Sequence, residues 1–303
     1  MKQTVFKILI MVFVLSISVG FINAEVIVPG NNLTEKLTWL QRSADSHNTY
    51  IVEVNANENI EPHTLEYRGA INISIILRGD AENRIIRLRS HGSMFTVKKD
   101  VTLILYNNIT LQGHNGNNGS MIYIDGGTFR MNEGTTITGN TGGINKRGYG
   151  GQGGGVYVQT GTFEMNGGTI SNNSVLWSGG GVDASDGSST MNGGTISGNI
   201  ASFGGGVYVN NGSFTIRGGM IFSNIAREMG GGVFSFIGGT FIKIGGVITG
   251  YNSDQVNGNV VRDDAGNIIG RRGHAVFVNE NRRKETTAGE EQNLSSRDTG
   301  RWD

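Results

Sequence analysis

The chain has 303 residues, with 25 basic and 25 acidic side chains, 50 glycines, two prolines and no cysteine. Balanced, well-mixed charge argues against nucleic acid as the natural partner. The absence of cysteine excludes disulfides and lipid attachment through an N-terminal cysteine, so packing and hydrogen bonds alone must hold the fold.

The N-terminus reads as a secretory signal peptide over residues 1–24. Lys2 and Lys7 flank an apolar run from Ile8 to Val19, and Ala24 offers a cleavage position. No later apolar stretch is long enough to span a membrane. Removing residues 1–24 takes away two lysines and no acid, so 23 basic and 25 acidic groups remain, a net charge of −2.

Residues 25–68 predict an N-terminal cap. Asn32 followed by Glu35 resembles a capping box, and Leu33, Leu37, Leu40 and Ala44 share one helical face. A helix over about 33–44 would cover the first coil, whose strand edges are otherwise unpaired. Tyr50–Val54 and Ile71–Leu77 read as the first strands of the stack.

Residues 69–279 predict the repeat domain. Its clearest part carries GTFEMNGGTISNN, GSSTMNGGTISGN and GSFTIRGGMIFSN, each running into a phrase such as GGGVYV. The opening glycines Gly127, Gly161, Gly187, Gly212 and Gly239 are 34, 26, 25 and 27 residues apart. Fixed phrases separated by one gap of variable length describe a unit that stacks on copies of itself, with the variable part as a surface loop. Val156-Tyr157-Val158 and Phe163-Glu164-Met165 alternate with period two, which means strand. Helix is excluded there, because 36 of the 50 glycines fall in residues 126–250.

A period near 25 with three short strands fits an all-β, right-handed parallel β-helix of about seven or eight coils. A β-propeller blade needs about 40 residues, which this spacing does not supply. Inward columns are expected at Val156/Val182/Val207/Val233, at Phe129/Phe163/Phe214/Phe241 and at Ile137/Ile170/Ile196/Ile221/Ile248. Three residues after the isoleucine comes Asn140, Asn173, Asn199 or Asn224, with Asn252 displaced by one. Upstream, His91 and His114 follow Leu88 and Leu111 by the same three. These six residues are expected to share one turn position as an inward, structural ladder. Residues 280–303 read as a polar, poorly ordered tail.

No catalytic constellation emerges. Polysaccharide-cleaving chemistry needs clustered carboxylates on one outward face, and Asp183 stands alone in its row. Asp263 and Asp264, in the long loop before His274, are the candidate metal ligands. They lack the spacing of a calcium loop and read first as a solvated turn. GGQGGG at 150–155 has no lysine-serine pair and no following helix, so no nucleotide cradle is expected and no cofactor is implied.

One surface carries a positive signal. Alternation places Tyr123, Tyr157, Tyr208, Phe234 and Phe277 outward at equivalent positions, interrupted by Asp183. Such a strip can stack on sugar rings or on an apolar partner; it can equally be aromatics stacking on one another to stabilise a sheet. Loops 141–155, with Tyr149, and 253–272 would rim it, and Trp177 sits in a third loop.

NGGTISGN with GGGVYV resembles the repeats of secreted bacterial β-helix proteins of the pectin-lyase-like superfamily, in particular those of treponemes. The paired repeats are also similar to those of chlamydial polymorphic outer-membrane proteins. Val28–Asn57 and the closing GHAVFVNENRRKETTAG resemble the ends of the treponeme group. The resemblance implies a right-handed β-helix, export, and a surface, outer-membrane-associated or extracellular role as an adhesin-like protein without enzymatic activity. The expected partners are glycans or host or environmental proteins. The alternative is a carbohydrate-active enzyme of the same fold.

Overall fold

The computed structural model describes residues 25–142, 151–252, 254–270 and 273–278, and the backbone of 283–287, 290–293 and 301–302. The signal peptide read over 1–24 and Tyr149 lie outside the described residues.

The chain winds as a parallel β-solenoid of about eight turns. The coil beginning at Val182 shows the plan, with segments Val182–Ala184, Ser188–Met191, Thr195–Ser197 and Ile200–Phe203. The first two belong to an 18-stranded sheet, the third to an eight-stranded sheet, and the fourth to a three-stranded sheet. Three strands per period were expected; the fourth forms where the short connections of neighbouring coils run alongside each other, as at Ile200↔Ile225. The inward columns keep register from coil to coil. Val156 pairs with Val182, Val182 with Val207 and Val207 with Val233. Ile137, Ile170, Ile196 and Ile221 pair successively and are fully buried.

The phenylalanine column differs in one coil. Phe163 pairs with Ser189, and Ser189 with Phe214. Ser189 is buried and its hydroxyl has no hydrogen-bond partner. On either side, Phe129 stacks on Phe163 at 5.4 Å and Phe214 on Phe241 at 6.4 Å.

The triple glycines form the corner leading into the first strand. A Cβ on Gly180 would lie 2.5 Å from the Gly205 carbonyl oxygen, so backbone packs directly on backbone there. Gly179 and Gly204, with φ of +63° and +62°, make the bend that only glycine adopts without strain.

The top of the stack is closed by a helix at Leu33–Ser43, which buries Leu33, Leu37 and Leu40. The Asn32 side chain accepts from the Glu35 amide at 2.9 Å, and Glu35 accepts from the Asn31 amide at 2.8 Å. Glu58, at the start of the third-segment column, accepts from the Leu33 amide with both oxygens. The carboxylate thereby satisfies an orphan donor at the positive end of the helix.

At the other end, the polar segment expected as a tail carries strand in its described parts. Arg283–Thr287 pairs in parallel below Phe241–Lys243 and turns back antiparallel through Glu290–Asn293. An extended segment there satisfies the backbone edge left by the last coil.

The asparagine column is a buried hydrogen-bonded ladder. The Oδ1 of Asn199 accepts from the backbone and side-chain amides of Asn173, at 3.0 and 3.1 Å. Its own Nδ2 donates to Asn224 and to the Ile170 carbonyl, both at 3.0 Å. Asn173 and Asn224 repeat this pattern with the rung below, whereas Asn140 gives only its backbone amide to Asn173 and turns its Nδ2 to the Gly119 and Gly154 carbonyls. The last rung is Asn259, not Asn252: the insertion after Ile248 delays the amide.

The two histidines do not join the ladder. His114 matches Asn140 in register, yet the rung above Asn140 is Asn117, which reaches in from three residues further on. His114 instead packs edge-on against exposed His91, centroids 5.2 Å apart. Asn117, the rung at that place, accepts from the Gly92 and Gly119 amides and donates to Asn140 and to the Gly92 and Gly119 carbonyls. A neutral imidazole offers one donor and one acceptor, so only an amide fits.

Candidate functional site

The outward column beside the ladder's corner carries the aromatic residues. Each sits between two buried residues of the first strand of its coil, valines or isoleucines except for Ser235 beside Phe234, so alternation points it out. Tyr123 stacks on Tyr157 at 5.4 Å and 10° between ring planes. Tyr208 stacks on Phe234 at 5.6 Å, and Phe234 on Phe277 at 5.5 Å. Asp183 occupies the register position between the two stacks.

The column is not an open strip along its length. Tyr123, Tyr157 and Phe277 are half-buried, whereas Tyr208 and Phe234 are 8% and 3% exposed. The cover comes from neighbouring turns. Phe203 packs on Phe234 at 5.5 Å, Trp177 on Phe203 at 5.4 Å, and Phe236 on Phe234 at 6.1 Å. The apolar surface has therefore moved outward to Leu176, Trp177, Phe236 and Ile237, all exposed. Sequence alternation says which face a side chain takes; it does not say what the adjoining loop lays over it.

Asp183 is fully buried. Ser178 Oγ donates to its Oδ2 at 2.5 Å, and Ser185 Oγ to its Oδ1 at 2.7 Å. Burial pushes its carboxyl up to about 7, with the two serine hydroxyls pulling the other way and Asp186 adding to the rise. Burial, reinforced by the Asp183 charge, holds the Tyr157 and Tyr208 hydroxyls at about 12. A fully enclosed carboxyl offers no contact to a polysaccharide, which separates Asp183 from an open catalytic groove. Ser178 and Ser185 were not singled out from sequence, though a signal existed. The positions equivalent to Ser178 are Gln152 and Phe203. The one coil with an acid in the aromatic row is thus also the coil with serine there.

Above Asp183 the column opens. A cavity of about 180 Å³ lies against Tyr123 and Tyr157, lined also by Ser93, Asn118, Ser120 and Gln152. The Tyr123 hydroxyl donates to Gln159 Oε1. Lys98 and Asp125 pair at 2.5 Å two residues along the strand. Thr64 and Thr96 continue the column upward, so among the described residues no ring follows Tyr123 in that direction. A larger concavity of about 630 Å³ runs over the second sheet past Thr110, Thr136, Thr169 and Thr195, but carries no aromatic ring.

The candidate metal ligands do not converge. Asp263 accepts from the Asn267 amide and side chain at 2.7 and 3.0 Å, closing its own turn. Asp264 is exposed and faces Arg227 at 3.8 Å. Among the described residues, no three His, Asp or Glu side chains gather as a metal site. No described helix is long and apolar enough to cross a membrane.

Fold and surface together define a capped parallel β-solenoid with a partly covered aromatic column. Compared with protein-family models, with curated proteins and with solved structures, the chain finds no match in any of the three.

Proposed function

We propose that this chain is an exported, non-enzymatic, adhesin-like repeat protein of the cell surface or envelope, of the secreted treponeme type, which binds glycans or proteins through the open end of its aromatic column. The observation that carries this reading is the cavity against the stacked Tyr123 and Tyr157, rimmed by hydroxyl and amide side chains. A pyranose presents an apolar C–H face and a ring of hydroxyls, and the two kinds of surface here match those two needs. The apolar run flanked by lysines at the N-terminus supports export.

The test is binding of the mature chain to a glycan array, with Tyr123→Ala/Tyr157→Ala as the variant. A tenfold or larger loss on the glycans bound by wild type is expected, with the far-ultraviolet spectrum unchanged. Equal binding by the variant removes the site. Release of soluble sugar products would turn the reading towards the carbohydrate-active enzyme. Protease shaving of intact cells checks surface placement independently.

A further inference from the structure

Asp183 stands where every neighbouring coil from Tyr123 to Phe277 places a ring. It is also one point where the loop beside the column is fastened. Ser178, which bonds one carboxylate oxygen, ends the loop that carries Leu176 and Trp177. Ser185, which bonds the other, begins the turn on the far side of the strand. The Trp177 carbonyl accepts from the Ser202 and Phe203 amides at 3.0 and 2.9 Å. The Trp177 ring lies on Phe203, and Phe203 lies on Phe234. The loop is also held by backbone bonds from the Val175 amide to Ile200 and from the Gly153 amide to Ser178, and the Asp183 carboxyl adds the side-chain tie beneath this cover.

We infer that Asp183 is a proton-sensitive tie that holds the Trp177 loop over the lower half of the aromatic column, so that the surface open to a partner grows as pH rises. No basic side chain among the described residues pairs with this carboxylate. The titratable groups facing it are Tyr157 from the coil above, Tyr208 from the coil below and Asp186 from its own coil. Both tyrosines stay neutral through the physiological range, and Asp186 carries the same sign as an ionised Asp183. The two serine hydroxyls offset only part of the cost of burying a charge here, so the tied loop favours the protonated acid. Once the loop lifts, water reaches the carboxyl and its ordinary acidity returns. Between the ordinary value of 3.8 and the tied value of about 7, each pH step multiplies the untied-to-tied ratio by about ten.

The inference deepens the proposed binding role, on which its purpose rests, but the tie is measured without any ligand. Hydrogen exchange of the mature chain, corrected for the intrinsic pH dependence of exchange, is followed from about pH 5 to pH 9. Opening-limited exchange of residues 174–204 is expected to rise about fiftyfold between pH 5 and 7 and by only about a further factor of two above that. Residues 95–131 serve as the reference and stay constant. Asp183→Asn is expected to abolish the rise. A flat wild-type profile, or the same rise in Asp183→Asn, overturns the inference. Should the variant fail to fold, carboxyl carbon NMR of wild type decides: a midpoint near 7 supports the tie, and one in the ordinary aspartate range overturns it. Glycan binding lost with the exchange transition intact would sink the binding role alone.

Discussion

Two columns run side by side down this solenoid and behave in opposite ways. The asparagine column is buried and hydrogen-bonded throughout, with the side-chain amides of Asn173, Asn199 and Asn224 each bonding the next rung and the coil above. The aromatic column is mixed: open at Tyr123 and Tyr157, interrupted at Asp183, covered at Tyr208 and Phe234. A repeat position that points inward is constrained by its neighbours in every coil. One that points outward is constrained only where a loop happens to fold over it. Departures from the repeat are therefore tolerated outside and expensive inside, where the one break in the phenylalanine column, Ser189, leaves a hydroxyl without a partner.

The largest effect should come from cutting the ladder. Asn199→Ala removes the acceptor of two Asn173 amides and the donors to Asn224 and the Ile170 carbonyl. With about 1–3 kcal/mol for each buried group left unsatisfied, a loss of about 3–5 kcal/mol is expected in urea unfolding. A loss below about 1 kcal/mol would mean that the two columns do not differ as described.

Asp183→Asn is the matching cut in the aromatic column and should act in the opposite direction. The folded chain holds a proton on Asp183 that the unfolded chain releases from pH 3.8 upward. This group's contribution is therefore most favourable below 3.8, falls as pH rises towards about 7, and is constant above. The distance between the two values corresponds to about 4 kcal/mol as an upper bound. At pH 8 the asparagine variant should be more stable than wild type by about 2–4 kcal/mol, with the gap closing in acid. Parallel stability–pH curves for the two proteins would show that the carboxyl is solvated in the folded state.

His63 offers a smaller pH effect of the reverse sign at the capped end. Burial lowers its pKa, and its Nε2 is buried without a partner. The folded chain resists protonation there, so stability from this group is present above its ordinary value of 6.5 and lost as pH falls below it. His63→Gln should remove that acid-side slope. The smallest change is expected from Ser189→Ala, which deletes a buried hydroxyl with no partner and should stabilise by about 1 kcal/mol. A destabilised Ser189→Ala would reveal a partner for that hydroxyl.

The ladder was legible from Asn140, Asn173, Asn199 and Asn224 because they keep a fixed distance from an isoleucine that packing holds in place. Its ends were not. His114 occupies the right register but has the wrong donors and acceptors, and Asn117 reaches the rung from a turn whose shape spacing does not describe. Asn259 was displaced by the long insertion after Ile248. For the aromatic column, alternation gave the row that holds Tyr208 and Phe234 but said nothing of Phe203 and Phe236 packing on Phe234, or of Trp177 on Phe203.

Periodicity alone determined the coil, the capping helix and the inward columns, because stacking repeats the same local geometry at every turn, and local geometry is written in alternation, glycine and caps. The burial of Asp183, its two serine donors and the covering of Tyr208 and Phe234 but not of Tyr123, Tyr157 and Phe277 were decided only in three dimensions. They depend on where loops of unequal length come to rest across neighbouring coils, and the distance between residues along the chain carries no record of that.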